Sequence, residues 1–225
     1  MMPDIKETLS FPNKKAVSLE GCKSYMLLGL PSIGLMCLDW WVFEIMAILA
    51  GEFGVEILAS QIVIMNILGM TYRVGQGLDS AGCTLIGNAI GSGNVFEAKK
   101  VFKVFYIFSC FLIAFEVYCV YMFIEQLVSM YTNEEHIKRR ALSLTWIICI
   151  TQFPDSFKGP LKGTFKAFGM QYKAVYINLT GHWLLNMTLM WYFAFHLGWG
   201  QIGLLYSKLI LEYYIFTMYN IVIFL

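Results

Sequence analysis

The sequence predicts an all-α, polytopic membrane protein with six transmembrane helices. Three observations carry this. Of the 225 residues, 58% are hydrophobic and 14% charged, too apolar for a soluble domain of this size. Mean hydropathy is +0.63. The apolar residues fall into runs near the ~20 residues needed to cross a hydrocarbon core of about 30 Å. Polar or glycine-rich breaks place the spans at about 26–50, 57–90, 102–124, 141–169, 174–197 and 203–225. A polar arm, 1–25, precedes them. A net charge of +1 gives no case for a nucleic-acid partner. The six cysteines occur without a CxxC pair and read as small packing residues, not a disulfide framework or metal site. With no phosphate-binding loop and no dinucleotide fingerprint, we expect neither a cofactor nor enzymatic activity.

The arm carries Lys6, Lys14, Lys15 and Lys23 but no apolar core, unlike a secretory signal. Pro31, near the start of the first span, frees a backbone carbonyl and predicts a hinge. The second span is too long for one straight crossing and is expected to bend or tilt. Its end, Gly75 to Gly93, is rich in Gly, Ala and Ser, which lets helices approach closely. The third span contains Glu116, and Glu125 to Arg140 forms a polar segment after it. The fourth holds Pro154 and Pro160, further hinge candidates, with Asp155 between them. Lys158, Lys162 and Lys166 repeat every four residues beside a Gly159–Gly163 pair; this stripe is expected to snorkel to the headgroups. Asn178 and Asn186 match the glycosylation pattern but lie inside a span, so we reject them as sites. Ten basic residues against four put both termini in the cytoplasm, with the Lys138–Arg140 cluster running against that rule.

Carboxylates inside a span are rare and costly, about 2.5 kcal/mol or more, and so mark candidate sites. Asp39 lies roughly 20 Å in from Met26, counting helical rise. Glu44, five positions on, points roughly 140° away, yet both can line one cavity. They form a candidate proton- or cation-binding pair, or each is paired elsewhere and merely packs. Asp155 is either a second protonatable site or half of a self-neutralising pair with Lys158 at i+3. Asn66 is a candidate cavity-lining amide. Arg73 and Asp79 are unexpected in the second span, and Arg73 is a candidate neutraliser of Asp39 or Glu44. Glu116 and Glu212 read as lone acids. Trp40, Trp41, Phe43 and Tyr72, with Trp183, offer faces for an organic cation.

Read together, Pro31-Ser32, Met36-Cys37-Leu38-Asp39-Trp40-Trp41 and Phe43-Glu44 resemble the seventh-helix signature of eukaryotic multidrug and toxin extrusion (MATE) transporters. Gly77-Leu78 through Ala81, Gly87 to Gly93 and Glu97-Ala98 resemble the eighth-helix motif. Asp155 through Gly163 with Lys166, Gly169 and Gln171 resembles the tenth-helix run, and Gly203-Leu204 the start of the twelfth. The resemblance covers about 25–225 and implies one six-helix lobe, 26–225, of a two-lobed transporter around a central cavity. It implies export of organic cations or other xenobiotics or metabolites in exchange for protons, or sodium, by alternating access, with Asp39, Glu44 and Asp155 where family acids serve and Asn66 where some members carry another. Several positions depart from the pattern. Asp39 replaces the usual Glu, Lys166 the usual Arg, Ala167 a Gly and Leu85 an Arg, while Arg73 and Asp79 are additions. A lone lobe turns cavity polar groups to lipid, so a second six-helix lobe is expected as partner, from a missing N-terminal half or a second copy. The expected location is the plasma membrane or a vacuolar or other internal membrane. The alternative is a half-length or truncated membrane subunit that regulates a full-length transporter.

Overall fold

The computed structural model describes residues 18–225, without the side chains of residues 24, 28, 31, 32, 35 and 39. Most of the arm, and the side chains of Pro31 and Asp39 on which two expectations turn, lie outside the described residues. α1 runs Leu19–Gly51, α2 Val55–Gly91 and α3 Val95–Tyr131. A short α4, Glu135–Ser143, precedes α5, Thr145–Ala167. The fifth span is a composite. α6, Gln171–Leu179, passes into a wide π-helical stretch, Thr180–Asn186, then α7, Met187–Met190, and a second π stretch, Trp191–His196. α8, Gln201–Phe224, is the last element.

The boundaries differ from the expected spans for local reasons. Ser18 accepts a hydrogen bond from the Gly21 amide and caps α1, so the helix starts before the apolar run does. Asn94 caps α3 in the same way, through the Glu97 amide. α3 continues past 124 into the polar segment, because polar residues at a membrane surface do not end a helix. α2 and α3 are each long and apolar enough to cross a bilayer. On α3 the exposed residues Val104, Phe108, Phe111, Phe115, Tyr118 and Met122 recur at alternating steps of four and three, one continuous stripe. Ala98, Phe105, Ser109, Ile113, Val120, Ile124 and Val128 are buried on the other side. So large an exposed apolar stripe suits lipid or a partner's apolar surface rather than water.

The core is the α2–α5 pair, flanked by α3 and α8. The glycines make it possible. A Cβ on Gly75 would fall 2.5 Å from the Ser156 carbonyl oxygen. One on Gly159 or Gly163 would overlap the carbonyls of Gly75 and Asp79. Only glycine allows this backbone-on-backbone contact, and the expected small-residue packing is therefore present. The lysine stripe beside it contradicts expectation. Lys158 and Lys162 are buried and do not snorkel, because the glycine seam draws α2 over them. Lys162 donates to the Tyr72 hydroxyl (3.4 Å) and Lys166 pairs with Asp79 (2.6 Å). Pro154 and Pro160 sit inside α5 without breaking it. Among the described residues, the non-helical backbone inside a helix lies at Phe123 of α3.

Candidate functional site

An open cleft of about 560 Å³ lies between α1 and α2. Trp40, Glu44 and Ala47 on α1 are spaced four and three apart and share a face. Asn66, Met70 and Arg73 repeat the pattern on α2, and Gly69 leaves room between the helices. Phe43 and Tyr131 complete the aromatic wall. Glu44 and Asn66 are exposed to the cleft. The Arg73 guanidinium lies over the Trp40 ring, 5.5 Å from its centroid, and donates to the Gln76 side chain at 2.8 Å. Among the described residues neither Glu44 nor Arg73 forms an ion pair, so Arg73 does not neutralise Glu44 as considered above.

Beneath the cleft sits a buried ring of charge. Lys158 contacts Asp155 at 2.9 Å and Glu212 at 2.5 Å. Lys208 contacts Glu212 at 2.7 Å and Asp155 at 3.3 Å. Each carboxylate thus touches both lysines, and all four side chains are at most 3% exposed. Alternation of sign around the four offsets much of the cost of burying them. Two helical repeats build the ring: Asp155 and Lys158 at i, i+3 on α5, and Lys208 and Glu212 at i, i+4 on α8. Phe43 lies 4.6 Å from the Lys208 ammonium, and the Tyr72 ring lies 6.0 Å from Lys158 and from Lys162. Glu116 of α3 faces Ser156 and lies within electrostatic range of Asp155.

A space of about 20 Å³ touches all four members of the ring and His182. It shares Trp40, Phe43 and Gly69 with the open cleft. The Trp40–Phe43 pair, 6.0 Å between centroids, is therefore the partition between cleft and ring.

The structure thus brings Glu44, Asn66, Trp40 and Phe43 together in the cleft. It places Asp155 in the ring and Tyr72 against the lysines. Trp41 turns away from the cleft and meets Trp183 edge-on at 6.3 Å. Sequence reasoning missed Lys208 and misread Glu212, which is not a lone acid. A signal was available: two self-neutralising pairs, each within an apolar span, are costly apart and cheap together. Asn178 and Asn186 are buried, consistent with rejecting them as glycosylation sites.

Comparison with known proteins gives a consistent result. The family model MatE matches residues 31–192. "Protein DETOXIFICATION 18" of Arabidopsis thaliana is 32% identical over 73% of this chain and 35% of its own length. Rabbit (Oryctolagus cuniculus) "Multidrug and toxin extrusion protein 1" is 29% identical over 83% of this chain and 33% of its own. The crystal structure of the eukaryotic MATE transporter AtDTX14 superposes with a TM-score of 0.87 at 19% identity, covering 99% of this chain and 51% of that one. The chain thus spans about a third of these relatives' length and half of that solved structure.

Proposed function

The chain belongs to the MatE family, and from that membership we propose that it forms one six-helix lobe of a secondary transporter that exports small organic molecules in exchange for protons. Members of the family are integral membrane transporters, not enzymes. The observation that carries the proposal is the cleft: an exposed carboxylate, Glu44, beside an aromatic wall; within a membrane span a carboxylate is costly without a use. Trp40 and Phe43, each already meeting a protein cation on one side, give the cleft aromatic surface for an organic cation, and Glu44 supplies its counter-charge. Asp39, on the same helix, is the second carboxylate of the proposed cation and proton site. A second six-helix lobe covers the cleft from the opposite side.

Coupling follows from the ring. Protonating Asp155 or Glu212 leaves a buried excess of one positive charge. That excess is unfavourable until a lysine moves or an anion approaches. Proton entry is thereby linked to a shift of α5 against α8, and through Phe43 to the wall of the cleft. With Lys162 and Lys208 buried in the bundle, the basic tally becomes nine against three. Cytoplasmic termini remain the favoured orientation.

The test is flux. The chain is reconstituted in proteoliposomes with a proton gradient, and uptake of a fluorescent organic cation is followed. Uptake that collapses with the gradient, and about tenfold or more in Glu44→Gln, is the expected result. Gradient-independent uptake would overturn the coupling. No uptake, together with co-purification with a larger homologue, would favour the regulatory half-length subunit.

A further inference from the structure

Arg73 is out of place in a cleft for simple cations. It lies on the α2 face that lines the cleft, opposite Glu44, and would repel a purely cationic ligand. Its guanidinium lies over Trp40, 5.5 Å from the ring centroid, with Gln76 taking one hydrogen bond. A guanidinium has five donors in a rigid fork, so most remain to be used. Their natural partner is a planar carboxylate or another oxyanion, bound in bidentate fashion. Glu44, one helical turn from Trp40, is likewise outside any ion pair among the described residues. One turn is ~6 Å along α1. The cleft therefore carries a negative group and a positive group that do not pair with each other, with Trp40, Phe43 and Tyr131 around them.

We infer that the cleft selects zwitterionic aromatic molecules, its Arg73 receiving their carboxylate while Glu44 receives their ammonium or other cationic group. This rests on the transporter reading for its biological meaning, but the binding step needs neither a gradient nor flux. A purely anionic ligand meets Glu44 and a purely cationic one meets Arg73; only a molecule with both charges satisfies both residues. The position of Arg73 over Trp40 makes this a matter of orientation as well as charge. The ligand enters with its carboxylate toward the Arg73 end of the cleft.

The test uses three probes with one ring: para-aminomethylbenzoate, its methyl ester (cation only) and its N-acetyl derivative (anion only). Each is titrated into the full chain in lipid nanodiscs by equilibrium dialysis at neutral pH. The zwitterion is expected to bind about tenfold more tightly than either relative, the return of one charge-assisted contact. Arg73→Gln should bring the zwitterion down to the ester's affinity and leave the ester unchanged or tighter. Glu44→Gln should bring it down to the level of the N-acetyl compound. Arg73→Lys, which keeps the charge, should retain a preference for the zwitterion. An ester that matches the zwitterion on the unaltered chain would overturn the inference and leave cation transport standing. Equal losses of ester and zwitterion in Arg73→Gln would show a merely structural arginine and overturn it too. Failure of all three to bind would remove the cation site along with it.

Discussion

The cleft and the ring hold the same kinds of residue and treat them in opposite ways. In the cleft, Glu44 and Arg73 stand exposed and apart, with unused donors and acceptors. In the ring, Asp155, Lys158, Lys208 and Glu212 are buried and every charge meets two of the opposite sign. The contrast separates polar groups kept available for a ligand from polar groups that satisfy one another. Exposure of the carboxylate, more than its depth in the span, distinguishes the two. Removing a charge should therefore damage stability in the ring and binding in the cleft.

The largest effect is expected at the seam that supports both regions. Gly159→Val drives a side chain into the Gly75 carbonyl. Expression as a monodisperse species in size-exclusion chromatography should be lost, since backbone overlap cannot be relieved by rotamer change. Next comes Lys158→Met, which leaves two buried carboxylates sharing one lysine. It should cost about 3–5 kcal/mol of stability, read as a lowered melting temperature in detergent. The double substitution Lys158→Met with Glu212→Gln restores neutrality and should recover more than half of that loss; no recovery would mean the four residues act as two separate pairs. Smaller still is Lys166→Ala. Its partner Asp79 is partly exposed, as is Lys166 itself, and the cost should be about 1 kcal/mol or less. The smallest stability effect belongs to Glu44→Gln, within about 0.5 kcal/mol, in the variant expected to lose cation uptake. If it melted as low as Lys158→Met, the distinction between the two regions would fail.

Much of this organisation was legible in the residues. Apolar run lengths located the spans, and Gly159 and Gly163 announced a close helix contact. A carboxylate beside two tryptophans marked α1. What escaped was long-range. Asp155 and Lys208 are far apart in sequence, and no local periodicity says that α5 and α8 meet through them. The lysine stripe was misassigned for the same reason. Spacing shows that Lys158, Lys162 and Lys166 share a face, but the neighbour covering that face is chosen by tertiary packing. Helix ends were set by Ser18 and Asn94 as caps, a finer signal than hydrophobicity. The π-helical turns have no marker we can name, although Gly181 lies within the first of them, closely packed against Leu211, Ile215 and Tyr214 of α8.

The glycine seam has a mechanical consequence. Most helix pairs are separated by a layer of side chains that can change rotamer and let one helix slide along the other. Between α2 and α5 that layer is missing at Gly75, Gly159 and Gly163, and peptide groups rest directly on peptide groups. The pair has no lubricant. It acts as one stiff beam, with the cleft on one flank and the charge ring on the other. A push on either flank is not absorbed in the middle.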